Sequence, residues 1–249
     1  LDSVLAVEGL TRTFGGIVAL DGVSLSVGPG ERRALIGPNG AGKTTLFNLI
    51  TGEMRPDRGE ITLFGRPATR ISVQERTRLG LGRTYQVTNL FLDLTVEENL
   101  FLAAVGGPRP GTLRSWRTNG QSLNRVREVA EQVGLADRLQ IRVDTLGHGE
   151  QRQLEVGVAL APRPRLLMLD EPVAGLAPTE RMRMMRFLGG LDRGVTVLLV
   201  EHDMDVVLGL ADRITVLHHG RVIADGSPEA IRSDHRVQEV YMGEWVNHA

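Results

Sequence analysis

Gly37-Pro38-Asn39-Gly40-Ala41-Gly42-Lys43-Thr44 is the stretch whose reading decides the fold. It is a complete Walker A pattern: glycine, a four-residue gap, then glycine, lysine and a hydroxyl residue. Ala34-Leu35-Ile36, a short apolar strand, runs into it. Thr44 to Thr51 reads as a helix leaving it. Glycines let backbone N–H groups turn inward around a phosphate, and a helix N-terminus adds partial positive charge. Lys43 is expected to reach the β- and γ-phosphates of a nucleotide, and Thr44 to ligate Mg²⁺. Gly37, Pro38, Asn39, Gly40, Ala41, Gly42 and Thr45 complete the expected cradle. The bland alternative, a glycine-rich turn that binds nothing, does not explain why every fixed position is filled.

Working outward, Leu166-Leu167-Met168-Leu169 is a continuous apolar run, typical of a strand buried on both faces. Asp170-Glu171 follows it and reads as Walker B. A carboxylate at the end of such a strand can hold Mg²⁺ through water, which is the role expected of Asp170. Glu171 is then placed to polarise the attacking water. The alternative is an Asp-Glu pair in a solvated turn; the upstream Walker A pattern weighs against it. These residues predict an α/β fold with a parallel sheet, that of a phosphate-loop NTPase.

The chain is long enough for one large domain or two lobes sharing a core. Its 249 residues carry 29 basic and 30 acidic side chains, so a net charge of −1 gives no support for bulk nucleic-acid binding. The absence of cysteine excludes disulfides, thiolate metal sites and cysteine nucleophiles, and fits a cytosolic protein. No apolar run approaches the roughly 18–20 residues that span a membrane, and Leu1 to Glu8 does not read as a signal peptide. Val4 to Leu10 and Val18 to Val27 read as strands around Gly15-Gly16. Gly59 to Leu63 reads as a strand and Ser72 to Leu79 as a helix. Thr95 to Glu98 has capping-box spacing. Leu100 to Val105 continues that helix, Gly106 to Gly120 reads as a surface loop, and Leu123 to Val133 resumes helical spacing. Thr196 to Val200 is a second buried strand, with helices over Arg181 to Leu188 and Asp203 to Leu210. Ile214 to Leu217 and Val222 to Ala224 suggest a hairpin, and Ser227-Pro228 opens a short helix.

Further segments, in order, resemble an ABC ATPase subunit. Leu146-Gly147-His148-Gly149-Glu150-Gln151 resembles the ABC signature motif, usually Leu-Ser-Gly-Gly-Gln. Gln86 is similar to the Q-loop glutamine, His202 to the H-loop histidine, and Ala174-Gly175-Leu176-Ala177 to the D-loop. Phe14 resembles the aromatic that stacks on adenine, with core packing as its alternative. The resemblance covers essentially the whole chain. It implies a RecA-like core with an N-terminal antiparallel β subdomain (residues 1–91 and 146–249) and a helical insertion at 92–145. It also implies a head-to-tail dimer in which two subunits sandwich two ATPs. Gly147, His148, Gly149 and Glu150 would then face the partner's γ-phosphate from a helix N-terminus. By the same resemblance Gln86 senses the γ-phosphate and Mg²⁺, and His202 contacts the γ-phosphate and orients the water at Glu171.

The sequence departs from the family pattern in places. Gly147 stands where the signature carries serine, which costs one hydrogen bond to a charged group, roughly 1.5–3 kcal/mol. Weaker dimer closure, but not a dead site, is expected. Glu150 replaces glutamine, placing a carboxylate near a polyphosphate unless it points away. Ala177 stands at the D-loop aspartate position, which puts that coupling contact in doubt. The phrases Asp170-Glu171-Pro172-Val173-Ala174-Gly175-Leu176 and Val200-Glu201-His202-Asp203-Met204 resemble the ATP-binding subunits of branched-chain (hydrophobic) amino acid importers and their urea- or amide-uptake relatives. The ending Val237 to Glu244 does so too.

That resemblance implies a second ATP-binding subunit, two membrane permeases and, indirectly, a periplasmic binding protein. It implies a peripheral place on the cytoplasmic face of the inner membrane, and no nucleic acid. Thr88-Asn89-Leu90-Phe91 is the expected permease-contact surface; the alternative is that these residues pack the insertion onto the core. Arg109, Arg114 and Arg117 with Trp116 read as a solvated basic loop, with contact to lipid headgroups or nucleic acid as the alternative. A lipopolysaccharide-type exporter ATPase is the nearest rival. DNA-repair ATPases would need long coiled coils, translation proteins a second cassette, and a phosphate-loop kinase would lack the signature.

Overall fold

The computed structural model describes residues 3–84, 90–106 and 120–241. They divide into two compact units: Leu1–Leu81 with Asp192–Ala249, and Gly82–Leu191. The expected helical insertion at 92–145 lies inside the second unit, which also takes in the signature and Walker B segments.

In the first unit, β1 (Leu5–Phe14) and β2 (Ile17–Val27) form a hairpin. Gly15 and Gly16 make its two-residue turn with φ of 50° and 91°. Both are left-handed, as a turn matching strand twist requires, and glycine takes that conformation without a Cβ clash. β4 (Arg58–Leu63) and β5 (Arg66–Pro67) extend this antiparallel sheet in the order β2-β1-β4-β5. Leu5, Val7, Leu20, Val23, Val27, Ile61 and Leu63 are buried along it, the period-2 pattern of a sheet with one face packed.

The same unit carries β3 (Arg32–Ile36), parallel to both β8 (Thr196–Val200) and β9 (Arg213–His218). β9 turns through His219-Gly220 into antiparallel β10 (Arg221–Gly226). All residues of β3 and β8 are buried, as central parallel strands covered on both faces should be. Helices α1 (Lys43–Thr51) and α2 (Val73–Leu79) belong to this unit. Ser72 and Glu75 form a capping box on α2. Arg76 of α2 is fully buried, and its guanidinium donates to the carbonyls of Leu49 (2.7 Å), Ile50 (2.5 Å) and Ala68 (2.6 Å). It thereby serves the open carbonyls at the end of α1, and burial pulls its pKa down to about 10.

In the second unit, β6 (Leu81–Arg83) and β7 (Leu166–Asp170) are neighbours, joined where the Thr84 amide donates to Met168 O at 3.0 Å. Helices α3 (Val96–Ala104), α4 (Gly120–Gln132) and α5 (His148–Leu160) pack on one another through Leu100, Val126, Val129 and Leu154. The capping box at Thr95 and Glu98 is present. A Cβ at Gly157 would lie 3.1 Å from Leu100, so glycine there lets α3 and α5 approach closely. α6 (Pro178–Gly189) follows β7. The chain closes, in the first unit, with α7 (Met204–Leu210), α8 (Pro228–Ser233) and α9 (His235–Tyr241). β6 is the strand that Gln86 is expected to follow; α9 was not anticipated, although Asp234 stands at its start and accepts from the Arg236 amide at 2.9 Å.

Candidate functional site

The first unit supplies a phosphate cradle. Residues 37–42 join buried β3 to α1, with φ of 154° at Gly37, 80° at Gly40 and 105° at Gly42. A Cβ at Gly37 would lie 2.2 Å from Leu217 O, so no side chain fits where the loop turns away from β9. The loop is braced from behind, where the Gly220 amide donates to Ala41 O at 3.0 Å. Lys43 Nζ donates to Gly37 O at 2.5 Å and Pro38 O at 3.1 Å, which folds the ammonium over the loop. α1 has no side-chain N-cap and no acidic residue in its first turn. A backbone ring without a carboxylate, beside a cation and a helix N-terminus, fits a polyphosphate. Thr44 is exposed at the same turn, and Thr45 is half-buried.

Phe14 closes β1 beside the Gly15-Gly16 turn and is 40% exposed, so it is not the core residue of its alternative reading. The Arg12 guanidinium sits 4.8 Å from its ring centroid, a cation–π contact. Arg12 is itself held by Asp57 at 2.7 Å. One face of the ring is thus occupied. His202 is exposed after β8, and its amide donates to the buried Glu201 carboxylate at 3.2 Å. The next residue, Asp203, caps α7.

The second unit holds the carboxylates. Asp170 ends β7 at 2% exposure, and its amide donates to Thr84 Oγ1 at 3.1 Å. Glu171 follows with φ 47°, a left-handed conformation that a non-glycine residue adopts at a cost. Asp170 and Glu171 line a cavity of about 200 Å³ together with His148, Gln151, Arg152, Glu155 and Ala174. The Asp170 carboxylate offers oxygen donors, the kind a hard divalent cation takes.

The signature residues begin α5. Gly147 is its N-cap and His148 its first residue. His148 lies over the D-loop: a Cβ on Gly175 would be 3.3 Å from its Cε1. Gly149 is buried where a Cβ would lie 2.2 Å from Glu180 Oε1 on α6, so a side chain there would have to displace the end of the Glu180 side chain. The Glu150 carboxylate turns back along the chain. Its Oε2 accepts from the Gly147 amide at 3.1 Å, and its Oε1 accepts from Arg138 at 2.9 Å.

Gln86, Thr88 and Asn89 lie outside the described residues, as do Arg109, Arg114, Trp116 and Arg117 and the chain end from Met242. Phe91 is 50% exposed. Sequence reading missed Arg138, which finds Glu150 12 residues on, and Arg152, which reaches carbonyls 18 and 19 residues on.

Comparison with known proteins agrees with this geometry. The profile of the ABC transporter family matches residues 20–174. That of the branched-chain amino acid ATP-binding cassette transporters matches 221–244. The high-affinity branched-chain amino acid transport ATP-binding protein LivG of Salmonella typhimurium is 39% identical over 97% of this chain and 98% of its own length. The crystal structure of an ATP-binding cassette of an ABC transporter in its ADP conformation matches with a TM-score of 0.85 at 32% identity, covering 97% of this chain and 99% of that one. A dimeric ATP-binding cassette in a post-hydrolysis state, bound to ADP and phosphate, matches with a TM-score of 0.76 at 26% identity, over 90% of this chain and 98% of that one. Among the described residues no helix is long and apolar enough to cross a membrane. A glycine loop of a shape that fits a phosphate, a carboxylate pair at a strand end and a matching family profile lead to one conclusion: the chain belongs to the ABC transporter family and is a nucleotide-binding ATPase.

Proposed function

We propose that this chain hydrolyses ATP to drive an importer of branched-chain or other hydrophobic amino acids. The observation that carries the cargo class is the match of residues 221–244 to the branched-chain amino acid cassette profile, at a segment outside the shared ATPase motifs. In this reading two ATP-binding subunits associate head to tail on the cytoplasmic face of the membrane. They bind two permease subunits and, through them, a substrate-binding protein.

Each role follows from the side chain present. Lys43 and the backbone N–H groups of residues 39–45 hold the β- and γ-phosphates, and Phe14 offers its open ring face to the adenine. Thr44, Asp170 and Gln86 are the oxygen donors assigned to Mg²⁺. Bound there, the ion would draw charge from the β- and γ-phosphate oxygens. Glu171 accepts the proton of the attacking water, and His202 contacts the γ-phosphate and orients that water. Gly147, His148, Gly149 and the N-terminus of α5 receive the γ-phosphate of the partner's ATP. Loss of that phosphate on hydrolysis removes the bridge and lets the dimer open.

Two measurements test this reading. Glu171→Gln should keep ATP binding, lose turnover and trap a dimer; near-normal hydrolysis would remove Glu171 from the role. Capture of the chain from its own membranes in mild detergent should bring multi-spanning permeases of the amino acid uptake type. A urea-uptake or lipid-export permease in their place would leave the ATPase standing and overturn the cargo.

A further inference from the structure

Arg152 lies in α5, which opens with the signature residues, yet its guanidinium reaches the end of β7. Nη2 donates to Asp170 O and to Glu171 O, both at 2.6 Å. Nη1 donates to Glu155 Oε2 at 2.6 Å, one helical turn further along. The Arg152 side chain is 12% exposed and that of Glu155 9%, so this is an interior contact.

Successive carbonyls of an extended strand point to opposite sides, and one nitrogen cannot serve both. Here it can, because Glu171 leaves the strand with φ 47° and brings the two carbonyls together. A left-handed non-glycine residue persists only where its surroundings hold it. Two short bonds from a cation supply that hold, and Glu155 fixes the plane of the guanidinium that makes them.

We propose that Arg152 is a positioning residue for hydrolysis: it locks the turn that aims the Glu171 carboxylate and ties that turn to the helix starting at His148. The carbonyls it grips belong to two of the residues that line the cavity of about 200 Å³. Arg152 acts through Glu171 and not on the reacting atoms. A displacement of the first turns of α5 is transmitted to the turn at 170–171 through two hydrogen bonds. The proposal rests on the reading of Glu171 as the base.

The test uses the full chain with Arg152→Gln, Arg152→Lys and, separately, Glu171→Gln. Amide exchange at Ala174, whose N–H donates to Glu171 O at 3.1 Å, reports the turn without nucleotide. Arg152→Gln should speed that exchange and lower kcat by at least about tenfold, since a small misplacement of a catalytic group is costly. KM and the affinity for a fluorescent ATP analogue should stay within about twofold. Arg152→Lys, which keeps the charge but not the fork, should fall between Arg152→Gln and the native chain. The proposal is overturned if Arg152→Gln keeps its kcat within about twofold. It is equally overturned if kcat, affinity and Tm fall together, which marks a general packing role. Should Arg152→Gln not fold, native kcat and native Ala174 exchange in Arg152→Lys overturn it. Near-normal turnover in Glu171→Gln removes the base reading, while Ala174 exchange still shows whether Arg152 holds the turn. A dead Glu171→Gln beside an unaffected Arg152→Gln removes the positioning role alone.

Discussion

Arg138 takes up the carboxylate of Glu150: its Nε donates to Oε1 at 2.9 Å, while Oε2 accepts from the Gly147 amide at 3.1 Å. The acidic residue in the signature is thus turned back onto its own helix start, with a counter-charge beside it.

Replacing Glu150 with glutamine should therefore change little. A glutamine oxygen can still accept from Gly147, and the ion pair is partly exposed, with Arg138 52% and Glu150 30% accessible. Such pairs contribute about 0–1 kcal/mol. Glu150→Gln should shift stability by less than about 1 kcal/mol in a urea titration and leave ATPase activity within about twofold. A loss of tenfold or more would mean that the carboxylate acts in the reaction itself.

Gly147 has φ −64° and ψ 157°, which any residue adopts, and a Cβ there would meet only Glu150 Oε2 at 3.8 Å. A serine therefore fits without rearrangement. Gly147→Ser should lower the ATP concentration needed for dimerisation, read by light scattering in a Glu171→Gln background. The added hydroxyl contributes roughly 1 kcal/mol or more as a bond to a charged group. No change would show that backbone N–H groups of α5 suffice.

Ala177 occupies the N-cap of α6 with no side-chain cap, although Pro178 and Glu180 follow in the positions that favour a helix start. The Ala177 amide already donates to Glu180 Oε2 at 3.0 Å. Ala177→Ser would complete the reciprocal capping box and should stabilise the chain by about 1 kcal/mol. Thermal unfolding checks this as a rise in Tm. An unchanged Tm would show that the α6 start is already satisfied.

Asp225 sits between Arg33, Arg213 and Thr215, and accepts from Thr215 Oγ1 at 2.6 Å. Burial by itself would raise its carboxyl, but the bonds from Thr215 and Arg213 and the charges of Arg33 and Arg213 outweigh it. They hold its pKa below the ordinary aspartate value of 3.8. The folded state therefore prefers the ionised form. Its stabilisation is complete above the unfolded pKa and is lost as pH falls through the lower folded one. Asp225→Asn should cost roughly 2 kcal/mol at neutral pH and flatten the decline of stability below about pH 4. A mutant with an unchanged acid limb would place the acid sensitivity elsewhere.

The chain order of the motifs, the hairpin turn at Gly15-Gly16, the capping box at Thr95 and the buried strands were legible in the sequence. Each rests on residues within a few positions of one another, where backbone geometry and burial period act directly. The partners of long charged side chains were not. Arg76 would be read as part of the polar face of a short helix, yet it is fully buried against carbonyls 26 and 27 residues away. Arg152 finds its carbonyls 18 and 19 residues on, and Glu150 its arginine 12 residues back. The side chain that faces Gly149 is Glu180 on another helix. A guanidinium can satisfy its donors in many places, and only the approach of one packed element to another selects among them. Sequence alone therefore determined the chemistry this protein carries and the order in which the chain presents it. Tertiary structure decided how the catalytic turn is held.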